Sequence, residues 1–135
     1  TMFETVLFPI DQSRESRQAV ETVAKLVKAH NSRLVLLSVV EAPDAEAPPE
    51  VMNSPAAIAE LLEGAKGLFS AQGIEAAAIE REGKPAFTIC DVADEIAADL
   101  IVMGCRGIGL TEEGAADSVT NRVINLSPCP VLIVP

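Results

Sequence analysis

The chain has 135 residues, nearly half of them hydrophobic, and this length suits one domain built around one core. Acidic residues outnumber basic residues by 20 to 10, and the resulting net charge of −10 argues against a nucleic-acid binder because it repels phosphates at long range. No apolar run approaches the roughly 20 residues needed to span a bilayer, and the N-terminus lacks the pattern of a signal peptide. We therefore expect a cytoplasmic protein that contacts neither nucleic acid nor membrane.

The three cysteines, Cys90, Cys105 and Cys129, are odd in number and widely spaced. They match neither a disulfide framework nor a zinc site, so we expect reduced thiols. Cys105 alone falls in a candidate binding loop, where a small residue needs no reactive role.

The first half of the chain alternates apolar runs with amphipathic segments. A run of β-formers over 5–10 predicts a strand, and Asp11 and Ser13 can begin the helix that follows it. The run over 33–40 is apolar on both faces, which is typical of a buried parallel strand. A proline-rich surface loop over 41–53 precedes a second helix, which begins at Ser54-Pro55 and stops near Gly73.

The second half continues the alternation. A weakly alternating strand over 74–80 is expected near the sheet edge, a third helix follows 83–85, and an apolar run over 99–103 predicts an interior strand. A short helix over 118–126, with Val119, Val123 and Ile124 as its apolar face, leads to a last strand over 131–134. The order βαβαβαβαβ predicts one α/β domain over 1–135, a doubly wound, Rossmann-like parallel sheet.

Ligands of such sheets bind at the carboxyl ends of the strands, where the strand order changes direction. Gly104 and Gly107 follow the interior strand, and a helix N-terminus at Ser118 offers unpaired N–H groups, which together suit a phosphate. A plain strand-to-helix turn is the alternative. Asp11 could accept hydrogen bonds from a ribose or an adenine amine, or could simply cap the first helix.

Catalysis has little support. His30 is the only histidine, it ends the first helix, and no Ser/His/Asp or Cys/His set can be assembled around it. We therefore name no catalytic residue.

Several segments coincide with the pattern of a known family. They are 6–11 with Ser13, 36–39, 83–85, 98–104, 106–107, 118–119 and 129–134. On these segments the chain resembles the universal stress protein family over its full length. The resemblance implies a five-stranded parallel sheet of the adenine nucleotide alpha hydrolase-like type. It also implies a homodimer paired through the final strand, here Val131, Leu132, Ile133 and Val134.

Some members of that family bind ATP, and these resemble Gly-x-x-Gly, nine residues, then Gly-Ser/Thr. Gly104 and Gly107 match this pattern, the next glycine is replaced by Asp117, and Ser118 matches again. The resemblance therefore implies an ATP or AMP site, with Mg²⁺ or Mn²⁺ if a metal is bound, and we expect at most slow ATP hydrolysis there. Its residues would be Pro9, Ile10, Asp11, Val39, Met103, Gly104, Arg106, Gly107, Asp117, Ser118, Val119 and Thr120.

Asp117 is the one departure, and its charge matters most. Two unit charges about 4 Å apart repel by about 4 kcal/mol at an effective dielectric near 20, and Arg106 is the nearby compensating cation. One hypothesis is that Asp117 caps its own helix and occupies the anion site. The other is that it holds a divalent cation that bridges to phosphate.

Two functions follow. The first is an adenine-nucleotide-binding stress-response protein with an impaired phosphate loop. The alternative is a nucleotide-free, dimeric regulatory module that works through protein contacts.

Overall fold

The structure, a computed structural model, describes residues 3–10, 15–40, 55–104 and 115–134. Strands and helices alternate in these ranges as the sequence predicts. The elements are β1 (Thr5–Pro9), α1 (Glu15–His30), β2 (Arg33–Val40), α2 (Pro55–Ser70), β3 (Ala76–Glu82), α3 (Pro85–Glu95), β4 (Leu100–Gly104), α4 (Ala115–Leu126) and β5 (Val131–Val134).

The five strands form one sheet in the order β3-β2-β1-β4-β5, and every neighbouring pair is parallel. The doubly wound α/β prediction is therefore confirmed. β3 lies at one edge and β4 lies inside the sheet, as predicted. The chain runs outward from β1 to β3 in one direction and from β4 to β5 in the other, so the order changes direction between β1 and β4.

Each face of the sheet carries its own apolar layer. Val6, Phe8 and Leu34 pack with residues of α1 and α2, and the ring of Phe8 meets Phe69 edge-on at 6.2 Å between centroids. On the other face, Leu7 packs with residues of α3 and with Val123 of α4. Strands that are buried on both faces need apolar residues at successive positions, which explains the continuous apolar runs in the sequence.

Apart from shifts of one residue at the ends of β1 and β4, three details differ from the sequence predictions. α4 begins at Ala115 rather than at Ser118, because Ala115 and Ala116 favour a helix and extend it toward the N-terminus. Ile124 is 49 % exposed, so it is not part of the buried face of α4, whereas Val123 is fully buried. β3 runs over Ala76–Glu82, two residues later than predicted, because its pairing with β2 continues to Glu82.

The amino ends of β1 and β4 are joined by Asp99. Its carboxylate oxygen Oδ2 accepts the N–H groups of Glu4 at 3.1 Å and Thr5 at 2.9 Å. Its own N–H donates to the carbonyl of Thr5 at 2.8 Å. Asp99 therefore holds the two central strands together at their amino ends, whereas the candidate site lies at their carboxyl ends.

Candidate functional site

The candidate site lies at the carboxyl ends of β1 and β4, where the strand order changes direction. The crossover connections that flank this point leave in opposite directions, so a crevice forms between them in folds of this type. α4 follows β4 and must return to the amino edge before the parallel strand β5, so its N-terminus lies toward the same carboxyl edge.

On one side of the crevice, β2 extends beyond β1. The last pair between these strands joins Pro9 to Leu37, and the N–H of Ile10 donates to the Leu37 carbonyl at 2.8 Å. Backbone groups of a strand face its two neighbours alternately, so the N–H and C=O of Val39 face the β1 side, as those of Leu37 do. β1 has ended at that level, and these two groups point into the space beyond it. The Val40 carbonyl points the other way and accepts the N–H of Gly83 at 2.9 Å.

On the other side, β4 presents backbone groups to the same space. The N–H of Ile101 donates to the Pro130 carbonyl at 3.0 Å, so the backbone N–H and C=O of Ile101 face β5. Because successive residues face opposite neighbours, the backbone groups of Val102 and Gly104 face β1. The pairing of β1 with β4 covers only Val6 with Leu100 and Leu7 with Ile101. We call the space beyond the end of β1, bordered by the backbones of Val39, Val102 and Gly104, the β1 notch.

The side chains around the β1 notch are apolar. The alternation along β1 places Pro9 on the face covered by α3 and α4, the same face that holds Val39 and Met103. Ile10 packs on the opposite face. Met103 and Ile10 are buried, whereas Pro9, Val39 and Gly104 are half-buried. The β1 notch thus combines an apolar floor with outward-facing backbone donors and acceptors, which suits a flat heteroaromatic ring with polar edges.

The structure brings together five of the residues predicted for the site: Pro9, Ile10, Val39, Met103 and Gly104. Asp117, Ser118, Val119 and Thr120 lie in the first half of α4. Asp117 is the third residue of that helix and so lies in its first turn, and both hypotheses for its carboxylate stay predictions. Asp11, Arg106 and Gly107, like Cys105, lie outside the described residues.

Val102 belongs to the notch but is absent from the sequence predictions. Its side chain is fully buried in the core, so the sequence indicates only an ordinary core valine of a strand. Its contribution to the notch is its backbone carbonyl, whose direction depends on strand register. Only the missing N–H of Pro9 signals in the sequence that the pairing stops here.

The described thiols lie away from the β1 notch and are free. Burial raises the pKa of Cys90, and the negative charge of Asp91 raises it further. Burial also raises the pKa of Cys129, against a hydrogen bond from Ser127 that lowers it. A raised pKa keeps both thiols protonated at neutral pH, which makes them poor nucleophiles.

His30 packs edge-on against Phe3, with 5.1 Å between ring centroids. Among the described residues, no group of three or more His, Cys, Asp or Glu side chains is arranged to hold a metal ion. Across those ranges, no helix has both the length and the apolar character to cross a membrane.

Comparison with known proteins agrees with this architecture. The family model described as "Universal stress protein family" matches residues 2–135. The chain belongs to the universal stress protein family. Universal stress protein Sll1654 of Synechocystis sp. is 64 % identical, and the alignment covers 99 % of this chain and 87 % of that protein.

Two solved universal stress proteins share the fold. UspA from Lactobacillus plantarum is 24 % identical, with a TM-score of 0.86 and coverage of 100 % of this chain and 99 % of that one. A universal stress protein in complex with cAMP is 25 % identical, with a TM-score of 0.79 and the same coverage of both chains.

Proposed function

We propose that this universal stress protein binds an adenine nucleotide at the β1 notch. The observation that carries the proposal is the end of the β1–β2 pairing at Pro9, beyond which the N–H and C=O of Val39 face the β1 side of the sheet above an apolar layer. The relative solved in complex with cAMP, an adenine nucleotide, supports the same class of ligand.

The backbone of Val39 favours adenine over guanine. Adenine offers an acceptor, N1, next to a donor, the N6 amine, and these complement one N–H and one C=O on the same strand edge. In the same pose, guanine would set its O6 acceptor against the C=O and its N1–H donor against the N–H. Two favourable contacts would become two repulsive ones, so the notch should discriminate the two bases.

The phosphate half of the site is weaker than the adenine half. Asp117 lies in the first turn of α4, and a carboxylate there is stabilised by the positive end of the helix. That is also where a phosphate group would bind. The net charge of −10 adds a general repulsion of polyphosphates. We therefore expect AMP to bind at least as tightly as ATP when no divalent cation is present.

Calorimetry on protein stripped of nucleotide tests this proposal. AMP should bind with one site per chain, and GMP should bind at least about tenfold more weakly, which corresponds to about 1.4 kcal/mol. Asp117→Gly should raise the affinity for ATP more than the affinity for AMP. If wild-type protein binds ATP tightly with magnesium or manganese and not in chelator, Asp117 holds a bridging cation instead. Equal binding of AMP and GMP would refute recognition by Val39.

Mass spectrometry of ligand released from protein purified without added nucleotide separates the two candidate functions. AMP or ATP in near-equal molar amount would support the nucleotide-binding role. An empty site, together with no AMP binding in calorimetry, would favour the nucleotide-free regulatory module.

We also propose that the chain forms a homodimer through β5. β5 is the edge strand of the sheet next to β4, and its Leu132 side chain is 36 % exposed. Ile124 and Leu126 of the preceding helix are about half exposed as well. An apolar edge strand needs cover or a partner, because it otherwise invites uncontrolled pairing.

Light scattering coupled to size exclusion tests the dimer. Wild-type protein should have twice the mass of one chain, and Leu132→Lys should be monomeric. Leu68→Lys is the matched control, because Leu68 is also exposed but lies on α2. A monomeric wild type, or a dimer unaffected by Leu132→Lys, would contradict pairing through β5.

A further inference from the structure

Pro9 lies at the point where β1 separates from β4. The N–H of Ile10 faces β2, where it donates to Leu37, so position 9 faces β4. The next step of the β1–β4 register, after Leu7 with Ile101, sets the nitrogen of residue 9 opposite the carbonyl of Val102. A proline nitrogen carries no hydrogen, so this ladder bond cannot form.

The missing hydrogen bond lies at the carboxyl end of the β1–β4 pairing, next to the candidate site. At the amino end, β1 and β4 are joined by the carboxylate and the N–H of Asp99. At the carboxyl end, the pairing stops at Leu7, although both strands continue to Pro9 and Gly104. On its other side β1 stays paired with β2 as far as Pro9. The separation is therefore confined to one side of one strand, the side that borders the crevice.

We propose that Pro9 is a positioning residue that opens the β1 notch by withholding a hydrogen bond from Val102. With no N–H at position 9, the Val102 carbonyl stays available to a hydrogen-bond donor of the ligand, an amine or a hydroxyl group. An N–H at this position would extend the ladder by one step, engage the carbonyl and draw β1 against β4. This inference rests on the proposed adenine-nucleotide site for its consequence, but its structural part is independent of any ligand.

Two variants at position 9 and one control distinguish the effect of the missing N–H from the effect of the proline ring. Pro9→Ala supplies the missing N–H. Incorporation of lactic acid at position 9 gives the same methyl side chain with an ester oxygen in place of the N–H, so it removes the ring without adding a donor. Pro130→Ala makes the same chemical change at the amino end of β5, away from the β1 notch, and serves as the matched control.

Amide hydrogen exchange by NMR tests the structural part without nucleotide. In Pro9→Ala, the new amide of residue 9 should be protected by on the order of a hundredfold relative to an unstructured peptide. Exchange at the unprotected rate would overturn the inference, because the N–H would then have no partner across the strand.

Calorimetry with AMP tests the consequence. Pro9→Ala should weaken AMP binding by on the order of tenfold, and the lactic acid variant should lose clearly less affinity than Pro9→Ala, whereas Pro130→Ala should stay within about twofold of wild type. An equal loss in the alanine and lactic acid variants would overturn the inference, since the ring rather than the missing N–H would then matter. If wild-type protein binds no AMP, the proposed function fails, and the exchange experiment still decides whether Pro9 interrupts the ladder.

Discussion

Replacing Asp99 by alanine should loosen the two central strands at the amino edge of the sheet. The substitution removes the Oδ2 atom that accepts hydrogen bonds from Glu4 at 3.1 Å and Thr5 at 2.9 Å. A hydrogen bond to a charged acceptor contributes about 1.5–3 kcal/mol, and partial exposure of this site reduces that to about 1 kcal/mol per bond. The expected loss is therefore about 2 kcal/mol of unfolding free energy, or a fall in Tm of about 6–8 °C for a chain of this size.

Urea denaturation at fixed protein concentration measures this loss. Asp99→Asn keeps an acceptor oxygen without the charge, so it should recover part of the stability that Asp99→Ala loses. Asp91→Ala is the control, because Asp91 is an exposed carboxylate on α3 with no such role among the described contacts. A change below about 0.5 kcal/mol in Asp99→Ala would refute the account, since an ordinary surface substitution has an effect of that size.

Two further predictions concern Gly83 and Cys90. Gly83 has φ = +153°, and a Cβ there would lie 2.6 Å from Oγ1 of Thr88, so Gly83→Ala should cost about 1–3 kcal/mol in denaturation. Adding Thr88→Ala should relieve the clash but not the backbone strain, and complete recovery would show that the strain is absent. Because burial raises the pKa of Cys90, iodoacetamide should alkylate it far more slowly in the folded than in the urea-unfolded protein at pH 7, with the folded rate rising only at higher pH. Peptide mapping identifies the thiol, and equal rates in both states at pH 7 would contradict its protection.

Much of the fold could be predicted because the pattern of apolar residues is strong. Residues 34–37 and 100–103 are apolar at successive positions, which is typical of a strand covered on both faces. Boundaries are harder to predict where the signal is weak. α4 starts three residues before Ser118, since two alanines extend a helix without marking its first residue.

The candidate site could be predicted only in part. Pro9 and Gly104 are visible in the sequence because their backbone chemistry is tied to residue type. Val39 follows from the family resemblance alone, and nothing in the sequence points to Val102. Both contribute backbone groups whose direction is set by the register of β1 against its neighbours, and periodicity alone does not fix register between separated strands. The exposed Ile124 was misassigned because helical spacing does not show how far the sheet extends beneath α4.

The most direct test of an adenine site at the β1 notch is the backbone amide of Val39. In an NMR titration with AMP, this amide proton should shift downfield and saturate at one AMP per chain, as expected for an N–H that donates to N1 of the base. GMP at the same concentrations should leave it in place. Saturable AMP binding with an unmoved Val39 amide would contradict the account, because the nucleotide would then bind elsewhere.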